Sequence, residues 1–246
     1  MTADEHGRDL RVAVLGTGIM GSAMAGRLVA AGLATTVWDR SPSAAAPLGQ
    51  AGALVAETAA EAARDAGVVI TMLPTADVVT AVVFGGGVAA AFAPGAVWAQ
   101  MGTIGVEATT GIAARLGGQR PDVLFADAPV SGSKGPAESG ELLILASGPP
   151  GAEAIVAPVF SALGRKTVWL GQAGRGSRMK LVVNAYMSVL IEGVAEALGL
   201  AGRLGIDPAQ LDKVIEDGPW TRRSPTRSCI RWRAAMSRPS SRCSGR

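Results

Sequence analysis

Three closely spaced glycines near the N-terminus form the pattern GxGxxG. The residues of the pattern are Gly16, Thr17, Gly18, Ile19, Met20 and Gly21. In such a turn the first glycine permits the bend, the second lets the backbone approach a pyrophosphate, and the third lets the following helix lie close to the preceding strand. Backbone amides at the start of that helix can then bind the phosphates. Simple tight turns are the alternative in a glycine-rich chain, but the flanking apolar and helical segments favour dinucleotide binding.

Asp39, Arg40 and Ser41 follow the next apolar run, where the adenosine ribose of a bound dinucleotide would lie. A carboxylate at this place accepts hydrogen bonds from the ribose hydroxyls and favours NAD, whereas an arginine and a hydroxyl group can bind the 2′-phosphate of NADP. In the alternative interpretation, Asp39 is a turn residue at the end of a strand and Arg40 is a solvated surface charge. We favour NADP, because Arg40 and Ser41 supply both a charge and a donor, and NAD stays open.

Two later segments carry groups that suit a small carboxylate substrate. Residues 127–137 (DAPVSGSKGPA) follow a predicted strand, and their hydroxyl and glycine residues expose backbone N–H groups that can hold a carboxylate. Lys180 and Asn184 lie four residues apart and share one face of a predicted helix. A sheltered lysine can donate a proton to a carbonyl oxygen as hydride reaches the carbon, and the amide can fix the geometry. The alternatives are that residues 127–137 form an ordinary loop, that Lys180 is a surface lysine and that Asn184 is a capping residue.

Apolar runs and helical segments alternate between residues 11 and 170. Strands are predicted over 11–15, 35–38, 53–55, 67–73, 96–101, 123–126, 141–147 and 166–170, and helical segments over 19–31, 57–66, 75–83, 105–116 and 151–163. This alternation predicts right-handed βαβ crossovers and a Rossmann-type, doubly wound, mostly parallel α/β sheet. A long helix follows from Ser177 to about Leu204, and its apolar residues wrap most of its surface, so we expect it to be buried on several sides.

The elements suggest three parts of the chain. We expect a dinucleotide-binding domain over 1–175, a long interdomain helix with the start of a helical C-terminal domain over 176–217, and a tail over 218–246. The tail contains eight arginines and no acidic residue, so it carries +8 of a net charge of +3, and the rest of the chain carries the difference, −5. The mildly acidic body gives no electrostatic reason to expect a nucleic-acid partner.

The composition of the tail is typical of GC-rich DNA translated in the wrong frame. A back-translation from Trp220 with one added base reads LDAPIADAKLH. We therefore hypothesise that a single-base deletion replaced a helical domain with a disordered nonsense tail. A genuine basic arm that binds nucleic acid or anionic lipid is the alternative. The two cysteines, Cys229 and Cys243, also lie here and are too few for a disulfide framework or a metal site, so we expect a cytoplasmic protein without metal or membrane segment.

Three segments together resemble a known family. The glycine pattern with Met20, residues 127–137 and residues 171–184 (GQAGRGSRMKLVVN) are similar, in order and spacing, to the three signatures of the β-hydroxyacid dehydrogenases. The resemblance spans about residues 11–217. Ser133 and Lys134, with the following Pro-Ala-Glu, are most similar to the glyoxylate and succinic semialdehyde reductases, and 3-hydroxyisobutyrate dehydrogenases are further relatives.

The resemblance implies an NAD(P)-dependent oxidoreductase that interconverts a small aldehyde-acid and a hydroxy acid. It implies that Lys180 is the catalytic acid/base and that Asn184 helps to hold the substrate. The further residues it implies are Ser131, Gly132 and Ser133 for the substrate carboxylate and Leu73, Pro74 and Thr103 for the cofactor. Members of the family continue into a second helical domain, and we expect their full-length form to be a homo-oligomer. A truncated dinucleotide-binding protein with little or no catalysis is the alternative.

Overall fold

The computed structural model describes residues 10–217, and its framework is a six-stranded parallel sheet. The strands are β1 (Arg11–Leu15), β2 (Ala34–Trp38), β3 (Leu54–Val55), β4 (Val68–Thr71), β5 (Val97–Gln100) and β6 (Leu124–Asp127). Their order is β3-β2-β1-β4-β5-β6, and every neighbouring pair is parallel. The chain therefore runs outward in one direction from β1 and in the other from β4. Ligands of such sheets bind beside the carboxyl ends of the strands at this switch point, and the predicted Rossmann-type fold is confirmed.

A second, three-stranded sheet follows the first. It contains β7 (Val130–Ser131), β8 (Leu142–Ala146) and β9 (Gly164–Trp169), in which β7 and β8 are antiparallel and β8 and β9 are parallel. Asp127 and Ser147 connect the two sheets, because each donates its backbone N–H to the carbonyl oxygen of the other at 2.8 Å. The two-residue strand β7 was not predicted, because it lies in a segment of proline, serine and glycine that is typical of a loop.

Ten α-helices accompany the strands in the described part of the chain. They are α1 (Ile19–Ala30), α2 (Pro42–Gln50), α3 (Ala59–Ala63), α4 (Ala76–Thr80), α5 (Val88–Ala91), α6 (Val106–Gln119), α7 (Lys134–Ser139), α8 (Pro150–Leu163), α9 (Arg175–Arg203) and α10 (Pro208–Asp217). A π-helical turn, Ala81–Gly85, continues α4. Threonine side chains cap α3 and α4, since Thr58 and Thr75 accept hydrogen bonds from backbone N–H groups in the first turns.

Both faces of the parallel sheet are covered by apolar side chains. In β1, Val12 and Val14 point into one core, whereas Ala13 and Leu15 point into the other. This division follows from the alternation of side chains along a strand. The second of these cores contains most of the aromatic rings, which gather around the fully buried Trp98. The small residues of the sequence thus pack as the two layers of a doubly wound sheet.

The long helix α9 differs from its prediction in burial. Leu181 is 64% exposed, Val182 is 63% exposed and Val189 is 72% exposed, so the expectation of burial on several sides is wrong for the described structure. An apolar pattern indicates that a surface needs cover, but it does not say which segment covers it. The same helix is long and apolar enough to cross a membrane, although length and composition alone are weak support for a membrane span.

The chain divides into two compact units inside α9, after Asn184. Within the described residues, the second unit holds the rest of α9 and α10. Ile206 donates its backbone N–H to the carbonyl oxygen of Ala201, and the Asp207 carboxylate accepts a hydrogen bond from the backbone of Ala209 at the start of α10. The domain limits proposed from the sequence stay predictions, and those for the tail lie outside the described residues.

Trp98 should dominate the stability of the second core. Its ring packs against the rings of Phe92 and Phe125, at centroid distances of 6.0 and 5.2 Å, and its Nε1 donates to Thr71 Oγ1 at 2.8 Å. We expect Trp98→Ala to lower the free energy of unfolding by about 3–5 kcal/mol, measured by urea denaturation, because it leaves a large cavity. The exposed control Leu54→Ala should change it by no more than about 0.5 kcal/mol. Equal effects of the two variants would contradict this packing.

Candidate active site

The three glycines of the turn after β1 meet three different surroundings. Gly16 has φ +96°, and a Cβ there would lie 2.6 Å from the carbonyl oxygen of Met72. A Cβ at Gly21 would overlap the carbonyl oxygen of Gly16. Around Gly18, in contrast, nothing lies within 4 Å of an added Cβ. Gly16 and Gly21 are thus required by backbone contacts, whereas Gly18 leaves open space into which a pyrophosphate fits.

A cavity of about 590 Å³ opens beside this turn, which is an ordinary size for a ligand site. The predicted cofactor residues among its lining are Gly16, Gly18, Ile19, Met20, Gly21, Asp39, Arg40, Leu73, Pro74 and Thr103. They come from the glycine turn and from the carboxyl ends of β2, β4 and β5. Four segments that are distant in sequence therefore meet at the switch point of the sheet, and together they could hold a dinucleotide.

The Asp39 carboxylate is bound within the fold on both of its oxygens. Oδ2 accepts hydrogen bonds from the backbone N–H of Thr17 at 2.7 Å and from its hydroxyl at 3.2 Å, and Oδ1 accepts one from the N–H of Ser41 at 3.0 Å. Thr17 and Ser41, both predicted to bind cofactor, therefore hold this carboxylate against the glycine turn. Arg40 is exposed at the rim of the cavity. Arg40 thus supplies a positive charge beside Asp39, and this charge is exposed to solvent.

Of the predicted substrate residues, Ser131 ends β7, and Gly132 and Ser133 form the turn before α7. Gly132 has φ +142°, and a Cβ there would lie 2.8 Å from a methyl group of Leu142, so this turn needs glycine. Ser131 is half-buried, and Gly132 and Ser133 are exposed. The segment is therefore within reach of a ligand, and the exposed Lys134 next to it forms an ion pair with Glu138 at 3.5 Å.

Lys180 and Asn184 lie on the first turns of α9, one turn apart. Lys180 is half-buried, and burial lowers the pKa of its amine from the ordinary value of 10.5. Desolvation disfavours the charged ammonium form, so a larger share of this lysine is neutral at a given pH. Such an amine can both give and take a proton, which an ordinary surface lysine does poorly.

Asp127 is the residue of the site that sequence reasoning missed. It was named only as the first residue of the segment 127–137, yet its side chain is 1% exposed. Burial raises the pKa of this carboxyl above its ordinary value of 3.8, while hydrogen bonds from Ser177, Ser147 and Gly174 oppose the rise. An acidic residue directly after a buried strand was the available signal, but its partners are 20 and 50 residues away in sequence.

Between residues 10 and 217 no group of three or more His, Cys, Asp and Glu side chains is placed to hold a metal ion.

Comparisons with known proteins give the same class of protein as the fold. The family model for the NAD binding domain of 6-phosphogluconate dehydrogenase matches residues 11–171. Glyoxylate/succinic semialdehyde reductase 1 of Arabidopsis thaliana is 36% identical over 213 residues, which are 86% of this chain and 73% of that protein. The 3-hydroxyisobutyrate dehydrogenase of Pseudomonas aeruginosa is 35% identical over 85% of this chain and 71% of its own length.

A solved structure agrees with these relatives. The 3-hydroxyisobutyrate dehydrogenase of Mycobacterium tuberculosis with L-serine aligns with a TM-score of 0.79 at 32% identity, over 86% of this chain and 72% of that chain. Fold, glycine turn and family model define an oxidoreductase that uses a nicotinamide dinucleotide. The chain belongs to the β-hydroxyacid dehydrogenase family. The resemblance seen in the sequence is thereby confirmed, and the roles of single residues stay predictions.

The different surroundings of Gly18 and Gly21 can be tested with a matched pair of alanine variants. Gly18→Ala should leave the free energy of unfolding nearly unchanged and raise the Kd for NADPH by about 10-fold or more, because the methyl group fills the space for pyrophosphate. Gly21→Ala should destabilise the fold itself, because its methyl group overlaps the Gly16 carbonyl. Denaturation and titration of NADPH fluorescence measure the two effects. Tight NADPH binding by Gly18→Ala would refute the prediction that the pyrophosphate binds beside Gly18.

Proposed function

We propose that the chain transfers hydride between NADPH and the carbonyl carbon of a small aldehyde-acid, or catalyses the reverse oxidation of the hydroxy acid. The observation that carries this proposal is Lys180, a half-buried lysine with a lowered pKa at the start of α9. Reduction of a carbonyl group requires one hydride at carbon and one proton at oxygen. A lysine that is easily deprotonated and reprotonated suits the second requirement.

The proton follows a short route in this proposal. Bound NADPH supplies the hydride. The Lys180 ammonium group donates its proton to the carbonyl oxygen of the substrate and regains one from water. In the oxidation, the neutral amine accepts the proton of the substrate hydroxyl group. Asn184 lies one turn further along the same face of α9, where its amide can hold the substrate oxygen during the transfer.

The substrate class rests on the loop after β7 and on the named relatives. Ser131 and Ser133 offer hydroxyl groups, and the exposed backbone around Gly132 offers N–H groups, which together suit a carboxylate. The relatives are named for glyoxylate, succinic semialdehyde and 3-hydroxyisobutyrate, and one solved relative is described with L-serine. All four are small carboxylates, so we take a carboxylate of this size as the substrate.

The preference for NADP is supported by the state of Asp39 and Arg40. The Asp39 carboxylate already accepts bonds from Thr17 and Ser41. Arg40 lies exposed at the rim of the cavity, where its guanidinium group can pair with a 2′-phosphate. A cofactor without this phosphate gains nothing from the arginine, and we therefore infer NADP as the preferred cofactor.

Dinucleotide binding with little or no turnover is the second candidate function. It is favoured by the exposed apolar residues of α9, since Leu181 and Val182 flank the region of Lys180 and are more than 60% exposed. An active site open to water would weaken the proposed proton transfer. Saturable NADPH binding without turnover of glyoxylate, succinic semialdehyde or methylmalonate semialdehyde would favour this candidate.

Lys180→Ala tests the role of the lysine. We expect kcat for the reduction to fall by at least about 100-fold, with the Kd for NADPH changed by no more than about two-fold, because only the acid/base is lost. In the wild type, the rate of reduction should fall as the pH rises through the pKa of Lys180, below 10.5, since the protonated form is the donor. The oxidation should show the opposite pH dependence, and both dependences should vanish in the variant.

The matched control for Lys180 is Lys166→Ala, which removes an exposed lysine of β9. Its kcat and its pH profile should equal those of the wild type. A loss of NADPH binding in Lys180→Ala, or retention of its activity, would contradict the proposed role.

Arg40→Ala tests the choice of cofactor. We expect the Kd for NADPH to rise by about 10-fold or more, since a charge-assisted hydrogen bond contributes about 1.5–3 kcal/mol. The Kd for NADH should change little, because NADH has no 2′-phosphate. Arg64→Ala, which removes another exposed arginine at the end of α3, should alter neither value. Equal weakening of NADPH and NADH would overturn the preference for NADP.

A further inference from the structure

Asp127 is a buried charged group that the proposed proton transfer does not use. Its side chain is 1% exposed, so it contacts neither solvent nor substrate directly. A buried carboxylate costs free energy unless hydrogen bonds compensate it. The donors that surround Asp127 are neutral, and they lie on Ser147, Gly174 and Ser177. Most of these bonds lead to one place, the start of α9.

The carboxylate binds the first turn of α9 through both oxygens. Oδ2 accepts the backbone N–H of Ser177 at 2.8 Å, and Oδ1 accepts the hydroxyl of the same serine at 2.7 Å. Ser147 adds a second connection, since its hydroxyl oxygen accepts the N–H of Gly176 at 2.9 Å and lies 3.2 Å from Asp127 Oδ2. Two N–H groups at the helix start are thus satisfied by residues at the ends of β6 and β8. A negative charge at this end also suits the helix dipole.

The start of α9 has no room to shift against the sheets. A Cβ at Gly176 would overlap the carbonyl oxygen of Leu145 and would lie 2.7 Å from that of Asp127. The helix backbone therefore lies directly on the two strand ends. Thr109 of α6 contacts the hydroxyl of Ser177 at 3.1 Å from another side. The position and rotation of the first turn are fixed by these contacts.

Lys180 lies three residues after Ser177 on the same helix. Three residues correspond to about 4.5 Å along the axis and to nearly one full turn, so the two residues share a side of the helix. Because a helix is stiff over one turn, the bonds at Ser177 set the place of Lys180. In the other direction, the chain runs from Asp127 over four residues to Ser131.

We propose that Asp127 is a positioning residue for Lys180: by holding Ser177, it fixes the lysine relative to the loop of Ser131, Gly132 and Ser133. Asp127 itself transfers no proton. This inference rests on the proposed role of Lys180. It adds a residue outside the three groups predicted to touch substrate or cofactor. Displacements of about 1 Å at a reacting group can cost about 100-fold in rate, so a residue with this task should matter strongly.

Asp127→Asn in the full chain is the test, because asparagine keeps the shape but replaces one acceptor oxygen with a donor. We expect kcat for glyoxylate reduction to fall by about 10-fold to 100-fold, while KM and the Kd for NADPH change by less than about three-fold. A second measurement uses no turnover: lysines are methylated with ¹³C, and the Lys180 signal, assigned by its absence in Lys180→Ala, is followed by NMR. In Asp127→Asn this signal should move toward that of the exposed Lys166.

Two further variants make the test specific. Glu153→Gln, at an exposed carboxylate in the first turn of α8, should alter neither kcat nor the NMR signal. Ser177→Ala removes the hydroxyl bond but keeps the N–H bond, so it should show a smaller effect of the same kind. If Asp127→Asn does not fold, Ser177→Ala decides the question by the same two measurements.

The outcomes separate this inference from the proposed function. Unchanged kcat and an unchanged Lys180 signal in Asp127→Asn would overturn the positioning role. A lower kcat together with a raised KM and a raised Kd for NADPH, while the Lys180 signal stays in place, would also overturn it. Such a result indicates general damage to the fold. A wild type without turnover would refute the proposed function, and the movement or constancy of the Lys180 signal would then still decide whether Asp127 positions this lysine.

Discussion

The arrangement of the site depends on the two backbone hydrogen bonds between Asp127 and Ser147. These two hydrogen bonds of 2.8 Å connect the parallel sheet, which ends at β6, to the three-stranded sheet that carries Ser131. The carboxylate of the same aspartate then reaches the start of α9. One residue therefore brings together the cofactor-binding fold, the proposed substrate loop and the helix of the proposed acid/base. The free-energy cost of burying its charge is offset by the donors that it organises.

On the cofactor side, the chain achieves a similar result with backbone contacts. A side chain at Gly21 would overlap the carbonyl oxygen of Gly16, and a side chain at Gly16 would meet the carbonyl oxygen of Met72, while Gly18 stays open. Asp39 closes this arrangement by accepting the N–H of Thr17, which connects the carboxyl end of β2 to the glycine turn. Contacts within the fold thus determine the shape of the cavity.

Local patterns predicted the parts of this structure that local chemistry determines. Nearby residues were enough to predict the bounds of β1, the separate roles of the three glycines and the alternation of strands and helices. The short elements β7, α5 and α7 escaped prediction, because they lie in segments rich in glycine, proline and serine, which are typical of loops. The partners of Asp127 and Asp39 also escaped it, since they depend on which strand ends become neighbours. The exposure of α9 contradicts its apolar pattern, because hydrophobicity does not identify the covering segment.

The most direct measurement is the fate of the hydride itself. NADPH that carries deuterium at the transferred position is incubated with the full chain and glyoxylate, succinic semialdehyde or methylmalonate semialdehyde, and the products are analysed by mass spectrometry. We expect a hydroxy acid with one deuterium on the former carbonyl carbon, formed by the wild type and lost in Lys180→Ala. Saturating NADPH binding with no deuterium in any of the three products would contradict the proposed hydride transfer.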